Sequence, residues 1–196
     1  MEPFMKEKIM KHSITLFESK GFSEASIRDI VNTLGVTKGT FYYYFSSKEE
    51  LLTQIQLQYI DYMLEEQQRI IEQPDRTWKE KLSGIILMTI QAIEGRGSSA
   101  RIFFRELLHI SGDSLAAIKQ KRDRFRLNVQ SVIEQGIESG EFRDDLPPEM
   151  VAFSVLGACN WCYTWFKKGG SLSDTEVAAV YTEMFLNGIN TIGNKC

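Results

Sequence analysis

The sequence predicts an all-α fold, and three observations carry that prediction. Apolar residues recur at helical spacing along the chain, and no stretch alternates with period two for long enough to form a sheet. The breaks between those stretches coincide with helix stops at Gly35, Pro74, the Ser111-Gly112 step and the Gly169-Gly170 pair. Residues 26–51, reading SIRDIVNTLGVTKGTFYYYFSSKEEL, place a short helix, a glycine turn and an aromatic-rich second helix in one run, the pattern of a helix-turn-helix.

Each element has a local reason. Ser26 precedes the apolar residues of its helix and Asp29 lies three positions on, a near match to a capping box. Ile27, Ile30, Val31 and Leu34 form one apolar stripe, and Gly35 follows where a helix C-terminus needs the left-handed conformation. Thr37 caps the next helix, residues 38–45, in which Phe41, Tyr44 and Phe45 point inward and Lys38, Gly39, Thr40, Tyr42 and Tyr43 point outward. Ser46 or Ser47 starts the following helix, with Lys48 in its first turn. A cation there opposes the positive end of the helix dipole, and an external anion removes the objection. Backbone N–H groups with a lysine beside them make a phosphate site.

The remainder is helical. Residues 48–73 form a long helix halted by Pro74, and residues 77–94 the next, halted by a GRGSS loop at 95–99. Helices follow at 99–110 and 113–139, and the loop 140–147 leads to a helix with Pro148 in its first turn, where its missing N–H costs nothing. That helix runs to Lys168, and Ser173 caps a last one reaching about Ile192. There is no internal repeat or low-complexity tract.

The N-terminal residues resemble the TetR (tetracycline-repressor) family of one-component bacterial transcriptional regulators. LFESKGFSEASIRDI, GVTKGTFYYYF and SKEEL, within residues 5–55, follow the family pattern nearly position by position; beyond Leu52 the resemblance rests on length and helical pattern. It implies nine helices, three for DNA and six for ligand binding and dimerisation. The DNA-binding domain is then residues 1–51, and the ligand-binding and dimerisation domain residues 52–196, with the boundary inside the fourth helix. It also implies a recognition helix at 38–44, with Thr37, Lys38, Gly39, Thr40, Tyr42, Tyr43 and Lys48 as the DNA-facing set. Arg28 matches a position that reads a base edge in some members; the alternative is a solvated helix face. Phe17, Phe22, Phe41 and Phe45 are read as the core of the three-helix domain.

Charge and composition agree with a two-part chain. A length of 196 residues with 43% hydrophobic content supports a sizeable core. The net charge of −3 argues against nucleic acid until it is divided: residues 1–48 hold seven Lys and Arg against five Asp and Glu, leaving 16 against 21 elsewhere. A weakly basic head on an acidic body orients the head toward double-stranded DNA. The start MEPFMKEK lacks the apolar stretch of a secretory signal, and Met5 is a second candidate start. The longest apolar run, 150–166, is shorter than the ~20 residues of a membrane helix, so a soluble cytoplasmic protein without a membrane partner is expected.

The last two long helices are the dimer candidates. Phe153, Gly157 and Trp161, with Met150 and Thr164, form a face on one; Val177, Tyr181, Met184 and Gly188, with Val180, form a face on the other. Each helix has a second apolar face, and a helix apolar on two sides must bury both. A four-helix interface across a two-fold axis, which the family uses, covers the remaining face of a homodimer. The alternative is burial within one subunit. Two recognition helices then enter successive major grooves about 34–36 Å apart, and a ligand that shifts the fourth helix changes that spacing.

The second half also suggests the ligand. Arg101, Arg105, Lys119, Lys121, Arg122, Arg124 and Arg126 concentrate positive charge, and GACNWCYTWF at 157–166 is unusually aromatic. Apolar walls beside a basic mouth, with Arg101, Phe104, Arg105, Leu108, Trp161 and Trp165 as the contact set, suit a small amphipathic effector such as an acyl thioester of coenzyme A. The segment is similar to the corresponding helix in family members that respond to such thioesters. The alternative is a solvated face paired with Glu106 and Asp123, with both tryptophans in core or interface. Cys159 and Cys162 form a C-x-x-C inside an apolar helix with no second ligand pair, so structural packing is expected, and Cys196 is read as a free thiol. His12 and His109 are isolated; no metal site, cofactor or catalytic residue is expected.

These features describe a ligand-responsive DNA-binding regulator, a repressor released from its operator by an amphipathic effector. The alternatives are a dimeric regulator with a drug-like effector or none, and a helical enzyme acting on an acyl substrate. Against the enzyme, the sequence shows no nucleophile elbow, phosphate loop or metal-ligand pair.

Overall fold

A computed structural model of the chain describes residues 3–167 and 169–189. Among these residues there are nine α-helices and no β-strand: α1 (Pro3–Lys20), α2 (Ile27–Leu34), α3 (Lys38–Tyr44), α4 (Lys48–Ile71), α5 (Trp78–Gly95), α6 (Gly97–Arg105), α7 (Gly112–Glu138), α8 (Pro148–Trp165) and α9 (Asp174–Ile189). A single 3-10 turn, Leu107–His109, follows α6. Lys168, the expected end of α9 near Ile192 and the Cys196 thiol lie outside the described residues.

The helices divide into two compact units. One joins residues up to Asp61 with Gly97–Lys119; the other joins Tyr62–Arg96 with the residues from Gln120 onward. Helices α4 and α7 each contribute residues to both.

The first unit is built around phenylalanines. Phe17, Phe41 and Phe45 are no more than 1% exposed, with Ile9, Ile30, Leu51 and Leu52 beside them in the core. The Phe17 and Phe22 rings meet edge to face at 5.2 Å. These are the large side chains that a three-helix domain must bury, as their spacing predicted.

Helix α6 also belongs to this unit, and here the structure corrects the sequence reading. The GRGSS segment is not a loop: α5 ends at Gly95 and α6 begins at Gly97, with only Arg96 between them. Glycine and serine disfavour helix locally, but α1 supplies a partner that outweighs propensity. The Glu18 carboxylate accepts from the Ser98 hydroxyl and from the Arg101 guanidinium, whose Nε lies 2.7 Å away. Burial alone would raise the Glu18 pKa, but the hydrogen bonds from Ser98 and Arg101 hold it below its usual range. The helix expected at 99–110 is therefore displaced toward its N-terminus. It stops at Arg105, and the chain tightens into the 3-10 turn before burying Ile110.

In the second unit α5 packs against both α8 and α9. Leu82, Ile85, Ile86 and Ile90 of α5 are at most 1% exposed. Thr77 and Glu80 form a capping box at its start, and Glu141 adds a second cap, accepting from Trp78 N–H at 3.1 Å and Lys79 N–H at 3.0 Å. Gln67 of α4 is fully buried and bonded at both ends of its amide: its Nε2 donates to Phe125 O at 3.0 Å and its Oε1 accepts from Asn128 Nδ2 at 2.8 Å. The close approach in this unit is at Gly136, where Phe142 folds back over α7 and its ring takes the space a side chain would need. Helix α8 ends at Trp165, short of the expected Lys168, because Phe166 leaves the helix in an extended conformation and is buried.

Candidate nucleic-acid interface

Side chains at the helix ends build the interface. Ser26 Oγ accepts from Asp29 N–H at 3.1 Å while the Asp29 carboxylate accepts from Ser26 N–H at 3.0 Å, the reciprocal box anticipated for α2. Gly35, with φ of 65°, donates to Asn32 O and Val31 O and turns the chain toward α3. Thr37 Oγ1 accepts from Thr40 N–H at 3.1 Å and bonds the Thr40 hydroxyl at the same distance. This cap fixes the first turn of α3.

Burial of Phe41 and Phe45 then orients α3. With those rings inward, Lys38 and Gly39 are exposed and Thr40 is half-buried. Tyr42 is 54% and Tyr43 64% exposed, large values for aromatic residues on a well-packed unit. Tyr44, expected inward, is half-buried, with its ring edge-on to Tyr43 at 4.9 Å. Arg28 of α2 is also exposed. The outward face of α3 thus carries an ammonium, two phenols and a glycine that lets backbone approach closely, a donor set suited to phosphates and base edges.

Lys48 has protein partners that the sequence reading did not include. Its ammonium donates to Phe22 O at 2.7 Å, Ala25 O at 2.8 Å and Ser23 O at 3.4 Å, and lies 4.3 Å from the centre of the Phe22 ring. Carbonyls of the α1–α2 connection thus supply partial negative charge that offsets a cation at the start of α4. Sequence patterning cannot foresee this, because the acceptors are backbone atoms more than twenty residues away. Lys48→Met keeps the stem and removes the charge. It should lower stability by about 1.5–3 kcal/mol, a thermal midpoint several degrees lower, while leaving the salt slope of operator binding unchanged. A shallower slope at an unchanged midpoint would return Lys48 to the phosphate contacts.

Lys6 was not singled out in the sequence, and His109 was read there as isolated. Lys6 lies over the Phe45 ring at 5.6 Å, and His109 stacks on Phe22 at 5.0 Å with Glu106 3.4 Å from its Nε2. No periodicity marks either contact.

The expected effector residues fall in separate units. Arg101, Phe104, Arg105 and Leu108 belong to the first unit; Trp161 and Trp165 belong to the second. Arg101 is held by Glu18. Arg105 is exposed, Leu108 is 94% exposed, and the Phe104 ring meets Phe103 edge-on at 5.3 Å. Arg126 bonds Asp123 and Gln130 and lies 5.0 Å from the Phe153 ring centre. Within the basic run, Arg101 and Arg126 are thus held by side chains of their own units.

Helices α8 and α9 in the second unit share an exposed apolar face. Met150, Phe153, Trp161 and Trp165 on α8 and Val180 and Met184 on α9 are each at least 43% exposed, and Gly157 and Gly188 are exposed beside them. Val177 departs from the expected set: it is 2% exposed and packs within its own unit. Tyr181 is half-buried, its hydroxyl 3.6 Å from Cys162 Sγ. Burial pushes the Cys159 thiol up to about 12, with Cys162 adding to the shift, and burial also raises Cys162. Both are free thiols suited to packing. Among the described residues no helix is long and apolar enough to cross a membrane, and no cluster of His, Cys, Asp or Glu is placed to hold a metal.

Comparison with known proteins agrees with this architecture. Residues 9–55 match the family described as bacterial regulatory proteins, tetR family, and residues 75–189 match the tetracyclin repressor-like C-terminal domain. The chain is 25% identical over 186 residues to the HTH-type transcriptional repressor KstR2 of Mycolicibacterium smegmatis, covering 94% of this chain and 90% of that protein. The structure of the ketosteroid transcriptional regulator KstR2 of Mycobacterium tuberculosis superposes with a TM-score of 0.87 at 24% identity, covering 97% of each chain. That of AibR in complex with isovaleryl coenzyme A and operator DNA superposes with a TM-score of 0.81 at 25% identity, covering 91% of this chain and 96% of AibR. With a capped helix-turn-helix at one end and family matches spanning both parts, the chain belongs to the TetR family of bacterial transcriptional regulators.

Proposed function

We propose that this chain is a homodimeric transcriptional repressor that binds an operator through α3 and leaves it when an acyl thioester of coenzyme A, or an effector of that amphipathic chemistry, is bound. It acts by binding rather than catalysis, in the cytoplasm where the DNA is. The outward face of α3 carries the reading: Lys38, Thr40, Tyr42 and Tyr43 are presented by a helix whose own core is complete, so their exposure serves no packing role. Arg28 adds a base-reading contact from α2, and the functional division follows the expected one, DNA contact in residues 1–51 and effector response and dimerisation in 52–196. The repressor names of the KstR2 relatives support the repressor, and the isovaleryl coenzyme A bound to AibR with operator DNA supports the effector class. The exposed face of α8 and α9, including Phe153, Gly157, Trp161, Met184 and Gly188, supports the dimer, since a patch of this kind is costly to leave in water. Trp161 and Trp165 are accordingly interface residues, and Arg105 is the effector contact retained from the basic run.

Sedimentation and gel-shift measurements test this reading. A two-chain mass is expected, with specific binding to the DNA upstream of the protein's own gene that weakens at least about tenfold with isovaleryl coenzyme A, the scale of a typical coupling energy. A monomer, or no preference over random DNA at matched salt, overturns it.

A further inference from the structure

Helix α4 carries two glutamines, Gln56 and Gln67, that are 0% exposed and stand eleven residues apart, close to three full turns. They are in opposite states. Gln67 satisfies both ends of its amide, whereas Gln56 satisfies only one. Its Nε2 donates to Ile102 O of α6 at 3.1 Å, and its Oε1 has no hydrogen-bond partner. The orientation of the amide is fixed, because flipping it would set Oε1 against the Ile102 carbonyl.

An unpaired buried acceptor is costly, and an apolar side chain of similar size would fill the same space without that cost. Gln56 is thus poor packing material at this position, and the bond it does make has a particular address. Ile102 O already accepts from Glu106 N–H at 2.9 Å, the last bond before α6 gives way to the 3-10 turn. Beyond Ile102 the carbonyls of the last turn are those that an α-helix leaves without intrahelical donors. The next carbonyl on the same face of an α-helix lies about one turn, ~5.4 Å, along the axis, so a small displacement of α6 lengthens this bond without offering another acceptor, and the bond favours one register over continuous sliding.

We propose that Gln56 is a positioning residue, a polar pin that sets the register of α6 against α4 inside the first unit, and that displacing α6 is felt by α4 through this bond. The proposal rests on the regulator reading only for its second clause. The pin is retained at the expense of stability, and it acts on the helix that begins directly behind α3.

Gln56→Met conserves volume and removes the donor. In the full-length dimer without DNA, amide exchange in peptides covering residues 100–110 should accelerate by about fivefold, the loss of one hydrogen bond, while the thermal midpoint stays level or rises. Ser13→Ala, which removes the other buried unpaired oxygen of this unit, should leave that exchange unchanged. Unchanged exchange in Gln56→Met, or a general acceleration with a lower midpoint, overturns the pin. Operator affinity decides the coupling: a shift of threefold or more, in either direction, is expected on the scale of modest coupling energies. Faster exchange with unaltered operator affinity leaves a local pin and overturns the link to α4. The exchange result is independent of any operator, so failure of the pin and failure of the regulator reading are distinguishable.

Discussion

Removing both phenol hydroxyls from α3, as Tyr42→Phe with Tyr43→Phe, should weaken operator binding at least about a hundredfold while leaving the thermal midpoint within a degree or two. Hydrogen bonds to charged groups contribute about 1.5–3 kcal/mol each, so two lost phosphate contacts together reach this range. Stability is spared because both rings remain. Tyr42 keeps its edge contact with Phe41 at 5.5 Å and Tyr43 its contact with Tyr44 at 4.9 Å. The alanine pair is less clean, since losing two edge-to-face contacts costs about 0.5–1.5 kcal/mol apiece and softens α3. Lys38→Ala supplies the comparison: if Lys38 reads a base edge, binding falls unevenly across operator variants, whereas a uniform fall assigns it to the backbone. Full affinity in the Phe pair would remove the tyrosines from the interface and leave their exposure without a function.

Gly136→Ala should be the most damaging small substitution in the second unit. A Cβ built at Gly136 lies 2.2 Å from Phe142 Cδ2 and 2.3 Å from its Cε2, far inside contact distance. The ring cannot retreat easily. It is 2% exposed, and its own N–H donates to Gly136 O at 3.0 Å. The neighbouring Glu141 N–H donates to the same carbonyl at 2.8 Å while its carboxylate caps α5. Relieving the clash therefore disturbs the end of α7 and the start of α5 together. Overpacking of this kind costs about 1–3 kcal/mol, which in a chain of this size lowers the thermal midpoint by several degrees. Gly95→Ala is the control, since a Cβ there meets nothing within 4 Å. Phe142→Leu added to Gly136→Ala should recover part of the loss; a double variant no better than the single would place the cost elsewhere than in the ring.

Local chemistry explains which parts of the interface were legible beforehand. The caps at Ser26 and Thr37, the turn at Gly35 and the inward rings at Phe41 and Phe45 all depend on neighbours within four residues, and each stands where spacing put it. Their burial leaves Tyr42 and Tyr43 outside, so the candidate recognition face follows from periodicity as well. The α8 segment was legible for a related reason: its apolar residues are too evenly distributed for one buried face, and Phe153 and Trp161 are indeed exposed.

Charged and polar side chains were less legible because their partners are remote. The Lys48 ammonium reaches the carbonyls of Phe22 and Ala25, and the Arg101 guanidinium reaches Glu18 of α1, partners that no reading of either residue as a phosphate or effector contact anticipated. The same carboxylate turns GRGSS from an apparent loop into the start of α6. Long cationic side chains travel far enough to find acceptors that no sequence window contains.

From its sequence alone, this protein was determined to be all-helical, to carry a capped helix-turn-helix with an outward tyrosine-rich face, and to have late helices that are apolar on more than one face. Those properties depend on residue type and spacing within single helices. Only the tertiary structure decided that Lys48 is tied to the α1–α2 connection, that Phe142 seals α7 at Gly136, and that Gln56 meets α6 with half of its amide unpaired. Each of these is a contact between segments distant in the chain or an effect of close packing, and hydrogen bonds and packing act at atomic separations that helical periodicity does not encode.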